Sequence, residues 1–192
     1  MGAAAGLHQA QRLGPAAGAG RETEGEERLV VCEARAILEH LEETNPEPPL
    51  LARDPAERAE ARRLAHWFDR KFDYEVNSLL IHEKLEKRLF GLGAPDLAAL
   101  RQGRDALRDH LAYIESLLQH RDWLAGRRLS FGDLAAAAHL SVIDYFGDMP
   151  WKDYPAAKTW YMKLKSRPAF RPLLRDRWPG LKPAGHYDDL DF

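Results

Sequence analysis

Few residues in this chain are placed to do chemistry, and most of those have a structural use. Ser130 and Asp133, in the run RRLSFGDLAAAAHL, have the spacing of a reciprocal helix cap. The serine hydroxyl accepts the orphan N–H three residues on, and the aspartate carboxylate reaches back to the serine N–H. Leu129 and Leu134 stand where a hydrophobic staple closes over such a cap. The lone cysteine, Cys32, follows three apolar residues and reads as a small core side chain rather than a nucleophile. The 8 histidines show neither H-x-x-x-H nor H-E-x-x-H spacing, so no metal site is expected. One segment keeps a binding character. At the C-terminus, HYDDLDF interleaves acid with apolar anchors in Tyr187, Asp188, Asp189, Leu190, Asp191 and Phe192. A basic stretch precedes it, with Lys158, Lys163, Lys165, Arg167, Arg171, Arg175 and Arg177. Two readings follow: an acidic tail folding back onto those charges, or a docking motif whose anchors supply contact and whose charge steers encounter.

The elements that must position these residues are helices. Asp54-Pro55-Ala56-Glu57 reads as an N-cap, a proline at the first helical position and a glutamate at the third. Leu64, Phe68, Phe72, Val76 and Leu79 or Leu80 then recur at nearly helical spacing, and Gly91 and Gly93 offer a left-handed stop. Asp96 opens a second long helix with Leu100, Leu107, Leu111, Ile114 and Leu118 as its buried stripe. A capped helix starts at Ser130, another spans residues 154–167, and a short one begins at Pro168. Upstream, residues 28–32 read as one strand and 33–43 as a helix whose Ile37, Leu38 and Leu41 form an apolar stripe. NPEPP at 45–49 ends that helix. Trp67, Phe68, Tyr74, Trp160 and Tyr161 fall on helical faces, where packing accounts for them.

Composition narrows the classes of function. With 45% hydrophobic and 30% charged residues and a net charge of −2, the chain can build a core and carries no global electrostatic bias toward nucleic acid. No apolar run is long enough to span a membrane, no secretory signal opens the chain, and one cysteine cannot form an internal disulfide. A reducing cytoplasm is the expected location. Residues 1–25, rich in Ala and Gly and without apolar periodicity, are expected to be disordered, or to be a misread replacement for authentic opening strands.

Three stretches resemble the glutathione transferase family in register. LVVCEARAILEHLEETNPEPPLL resembles the last strand-to-helix turn and linker of its thioredoxin-like domain. DWLAGRRLSFGDLAAAAHL resembles its buried capped helix, and YPAAKTWYMKLKSRPAFRPLL its last two helices. Gly132 departs from the alanine usual before the capping aspartate. The resemblance implies an all-α fold: a helical bundle of the glutathione-transferase C-terminal type, with a single strand and helix left from a thioredoxin-like domain. The implied organisation is 1–25 disordered or misread, 26–49 thioredoxin-like remnant and linker, 50–178 helical domain, and 179–192 flexible acidic and aromatic tail.

The resemblance also implies where glutathione would sit, and there the chain is thin. The family's thiol-activating Ser, Tyr or Cys near the first strand has no match here, so no catalytic residue is assigned. Its acid-serine pair reads Glu33-Ala34, leaving Glu33 as the one glutathione-binding residue carried over and the site incomplete. HYDDLDF, LLRDRWPG and HWFDRKFDYEV resemble a branch of glutathione-transferase-like proteins that bind the division protein FtsZ. That implies a non-catalytic module, homodimeric where the N-terminal half is intact, working in the cytoplasm at the division site, with the tail residues Tyr187 to Phe192 as candidate contacts. The alternative is a glutathione-conjugating transferase, or an inactive fragment of one.

Overall fold

The apolar positions 64, 68, 72, 76 and 80 repeat every four residues, more slowly than an α-helix turns. On a straight α-helix each such step would drift about 40° around the axis and carry the stripe off its face. In the computed structural model, which describes residues 29–190, the winding changes to match. The run from Pro55 to Phe90 consists of α2 (Pro55–His66), a π-helical stretch (Trp67–Asn77), α3 (Ser78–Ile81), a second π turn (His82–Glu86) and α4 (Lys87–Phe90). The wider i→i+5 turns hold more residues each and cancel the drift. As a result Leu64, Phe68, Phe72, Val76 and Leu80 are all 1% exposed or less. Asp54 caps the start by accepting the Glu57 N–H at 2.9 Å, and Gly91 ends the run in the left-handed conformation, φ 64°.

α5 (Leu97–Leu118) starts at Asp96, whose carboxylate accepts the Ala98 N–H at 2.8 Å. It buries Leu100, Leu107, Leu111 and Ile114 against the long run. α6 (Phe131–Phe146) is the central helix, with Ala136, Ala137, Leu140 and Ile143 fully buried. A Cβ at Gly132 would lie 2.8 Å from the Leu64 Cβ and 3.3 Å from the Ala61 carbonyl. The departure from alanine at that position is therefore what lets α6 press against α2. A 3-10 turn (Trp151–Asp153), α7 (Pro155–Lys165) and α8 (Arg171–Arg175) complete the bundle. α7 borrows its cap from across the fold: Glu115 of α5 accepts the Ala156 and Ala157 N–H groups at 3.1 and 2.8 Å.

The structure divides at Asn45, and the segment before it is a unit of its own. It contains α1 (Ala34–Thr44), within a residue of the expected helix. The strand expected beside it is not formed. Residues 29–32 have no regular structure, and Arg28, like the expected disordered stretch 1–25, lies outside the described residues. Among the described residues no extended segment lies beside it to take its N–H and C=O groups, so a strand has nothing there to hold it. Cys32, expected in a core, is exposed. Among the described residues the fold is all-α, with no sheet.

Candidate functional site

The tail after α8 is turns and bends, held down by a platform on α6 and α7. Tyr145 organises its first part: its hydroxyl donates to the Leu181 carbonyl at 2.5 Å and accepts the Trp178 N–H at 3.2 Å. The Tyr145 carbonyl accepts the Ala184 N–H at 2.9 Å. Tyr187 then turns inward to 3% exposure, edge-on to the Tyr145 ring at 5.1 Å. His186 Nε2 meets Asp144 Oδ1 at 2.8 Å, and the Lys165 ammonium donates to the His186 carbonyl at 3.1 Å. Asp188 pairs with Arg177 at 2.6 Å, while Leu190 is half-buried against the core.

Of the candidate contact residues, the structure thus turns Tyr187 and Leu190 toward the core and leaves Asp188 and Asp189 exposed. Asp191 and Phe192 lie outside the described residues. The basic stretch engages the tail through Arg177 and Lys165, so part of the fold-back reading is realised in the same arrangement.

Beneath the tail sits a cluster that sequence reasoning missed. Asp144 and Lys165 are both fully buried, 3.5 Å apart. Asp144 also accepts the Trp151 indole N–H at 2.8 Å. Burial lowers the Lys165 pKa, and Asp144 opposes the shift. Burial also raises the Tyr187 hydroxyl to about 12, with Asp144 reinforcing it, so the phenol stays neutral. The members come from α6, α7 and the tail, separated by 21 and 42 residues. No local spacing announces them.

Ser130 and Asp133 form the capping box, and Asp133 does more than cap. Its Oδ2 accepts the Ser130 N–H at 2.9 Å and the Ser130 hydroxyl at 2.8 Å. Its Oδ1 accepts the Leu124 N–H at 2.8 Å and the Trp160 indole N–H at 2.9 Å. Burial pushes its carboxyl pKa up, and these four donors pull it back.

A groove of about 1000 Å³ opens between the long run and α5, lined by Trp67, Lys71, Tyr74, Arg101, Asp105 and Tyr113. At its floor the Trp67 indole N–H donates to His110 Nδ1 at 3.0 Å. An indole can only donate, so Nδ1 must accept and the ring proton sits on Nε2, which donates to Glu75 at 3.0 Å. Burial lowers the His110 pKa, in agreement with a neutral ring, and Glu75 opposes the shift. Glu75 is paired in turn with Lys71. This relay fixes a tautomer but places no nucleophile. Among the described residues, no group of His, Cys, Asp and Glu is arranged to hold a metal ion.

Glu33 precedes α1, exposed and at φ 73°, a left-handed conformation that costs a non-glycine residue energy. It makes no side-chain cap to that helix, and Ala34 beside it offers no hydroxyl.

Residues 83–168 match the glutathione S-transferase C-terminal domain. The chain is 78% identical over 171 residues to FtsZ-localized protein A of Caulobacter vibrioides, covering 89% of this chain and 75% of that protein. The solved structure of FzlA from C. crescentus superposes with a TM-score of 0.85 at 78% identity, over 89% of this chain and 76% of that one. A glutathione S-transferase structure from Rhodospirillum rubrum superposes with a TM-score of 0.81 at 52% identity, over 85% and 74%.

Proposed function

This chain belongs to the glutathione S-transferase-like family of FtsZ-localized protein A, and on that premise we propose that it is a non-catalytic binding module for FtsZ at the division site. The observation that carries the reading is the tail. Its apolar residues are spent on anchoring, through Tyr187 on Tyr145, while Asp188, paired with Arg177, and Asp189 lie exposed on a fixed base. Such an edge suits a partner surface of complementary charge, which governs encounter and orientation. The glutathione end supports the same reading, since Glu33 stands beside Ala34 where the family's pair carries a hydroxyl. In this reading the full-length module is a cytoplasmic homodimer.

Co-sedimentation of the full chain with FtsZ polymers tests the proposal. Reversing Asp189 and Asp191 to Lys should weaken binding at least fivefold at low salt. The difference should shrink as salt rises, because exposed charges are screened over about 8–10 Å at physiological ionic strength. Unchanged binding by the reversed protein, or no association by the wild-type chain with polymer present, would overturn it.

A further inference from the structure

We propose that Lys165 and His186 are positioning residues: together with Asp144 they fix the register of the C-terminal tail on α6 and α7, so that its outward acids meet the partner as a set surface rather than a loose tether. The proposal rests on the binding-module reading for its purpose and on geometry for its substance.

Tyr187 alone could dock the tail, since an aromatic ring edge-on to Tyr145 buries apolar surface. Apolar contact is not directional, however, and the Tyr145 hydrogen bonds that set register reach only Trp178, Leu181 and Ala184, short of the acidic end. The cluster supplies direction. Asp144 takes the His186 side chain, Lys165 takes the His186 main chain, and the same ammonium lies 5.6 Å from the centre of the Tyr187 ring. One residue is thus held at both its side chain and its carbonyl, and the next is held at its ring face. A slip of one residue along the tail would lose all three contacts together. An ammonium and a carboxylate, both fully buried, are poor choices for stability alone, where an apolar pair of similar volume serves as well or better. Their best-attested use is to specify one arrangement among several. Burial holds the ammonium's pKa down, and Asp144 works against that shift.

The tail reports on its own docking, because the Tyr187 and Asp189 N–H groups donate to the Ala184 and His186 carbonyls at 2.9 and 3.1 Å. Hydrogen exchange of the full chain therefore follows the order of the docked tail, alongside FtsZ co-sedimentation. Lys165→Met keeps the volume and removes the charge. His186→Ala removes a half-buried side chain without entering the core, and His186→Gln restores a donor to Asp144. Lys165→Met and His186→Ala should speed exchange at Tyr187 and Asp189 about tenfold and weaken FtsZ binding about fivefold; His186→Ala, which keeps the Lys165–Asp144 pair, should leave the α5 and α6 amides unchanged. His186→Gln should recover most of both. Tail amides that exchange alike in all four proteins would overturn the proposal, whatever FtsZ binding does. Wild-type chain that fails to sediment with FtsZ, with tail amides responding as expected, would instead overturn the binding-module reading and leave the positioning role intact.

Discussion

Asp133 holds more of the fold than a helix cap requires. Two of its four donors, the Leu124 N–H and the Trp160 indole, belong to other segments, and removing the carboxylate strands them in the core. Each buried donor left unpaired costs about 1–3 kcal/mol, whereas losing a serine cap costs about 1 kcal/mol. Asp133→Ala should therefore destabilise by about 3–5 kcal/mol and Ser130→Ala by about 1 kcal/mol, read as denaturant midpoints. Equal losses would remove Asp133 from its cross-linking role. The cap was legible because its partners are three residues apart; the Trp160 contact was not, because it spans 27. Glu60 gives a second residue-scale expectation. Its bond to Arg63, with Arg121 assisting and burial opposing, lowers its pKa from 4.5 to about 2. The folded state then binds fewer protons than the unfolded one between those values. The contribution is full above about pH 4.5 and is lost as pH falls toward 2. Partial exposure keeps it under about 1 kcal/mol. Glu60→Gln should flatten the acid limb of the stability profile in that window, and a profile parallel to the wild type would contradict it.

At the scale of elements, the winding of the long helical run decides how the bundle closes. The four-residue repeat from Leu64 to Leu80 was visible in the sequence as near-helical, but π winding could not be read from it. The choice between drifting out of the core and widening the turn is made by α5 and α6 packing on the same face. The strand expected at 28–32 failed for the complementary reason: a strand is defined by its neighbours, and the described residues hold none. Where an element's start depends on adjacent residues, as at Asp54, Asp96 and Ser130, the expectation and the structure agree. Gly132 is the informative exception, since propensity alone favours alanine there by about 1 kcal/mol. With a Cβ meeting Leu64 at 2.8 Å, Gly132→Ala should instead destabilise by about 1–3 kcal/mol in thermal or denaturant unfolding. A stabilised variant would mean that α2 and α6 can separate without loss.

For the whole molecule, the expected outcome is binding without glutathione chemistry. With no match in this chain for the family's thiol-activating Ser, Tyr or Cys, and Ala34 beside Glu33 weakening the ground-state anchor as well, the chain as given should show no turnover of glutathione with an aromatic halide. Turnover proportional to protein and unchanged in Glu33→Ala would point to an activating group elsewhere. The family and the helical bundle were legible in the sequence because caps and apolar stripes are local. The platform under the tail was not, because Asp144, Lys165 and His186 meet only after α6, α7 and the tail have packed. Zero-length carbodiimide cross-linking of the full chain to FtsZ polymers, followed by mapping of the joined residues, tests FtsZ binding through the tail. Binding through the tail gives cross-links from Asp188, Asp189 or Asp191 to FtsZ lysines, abolished at high salt. Cross-links confined to the acids of the Trp67–Tyr113 groove, with the tail carboxylates unlinked, would contradict it.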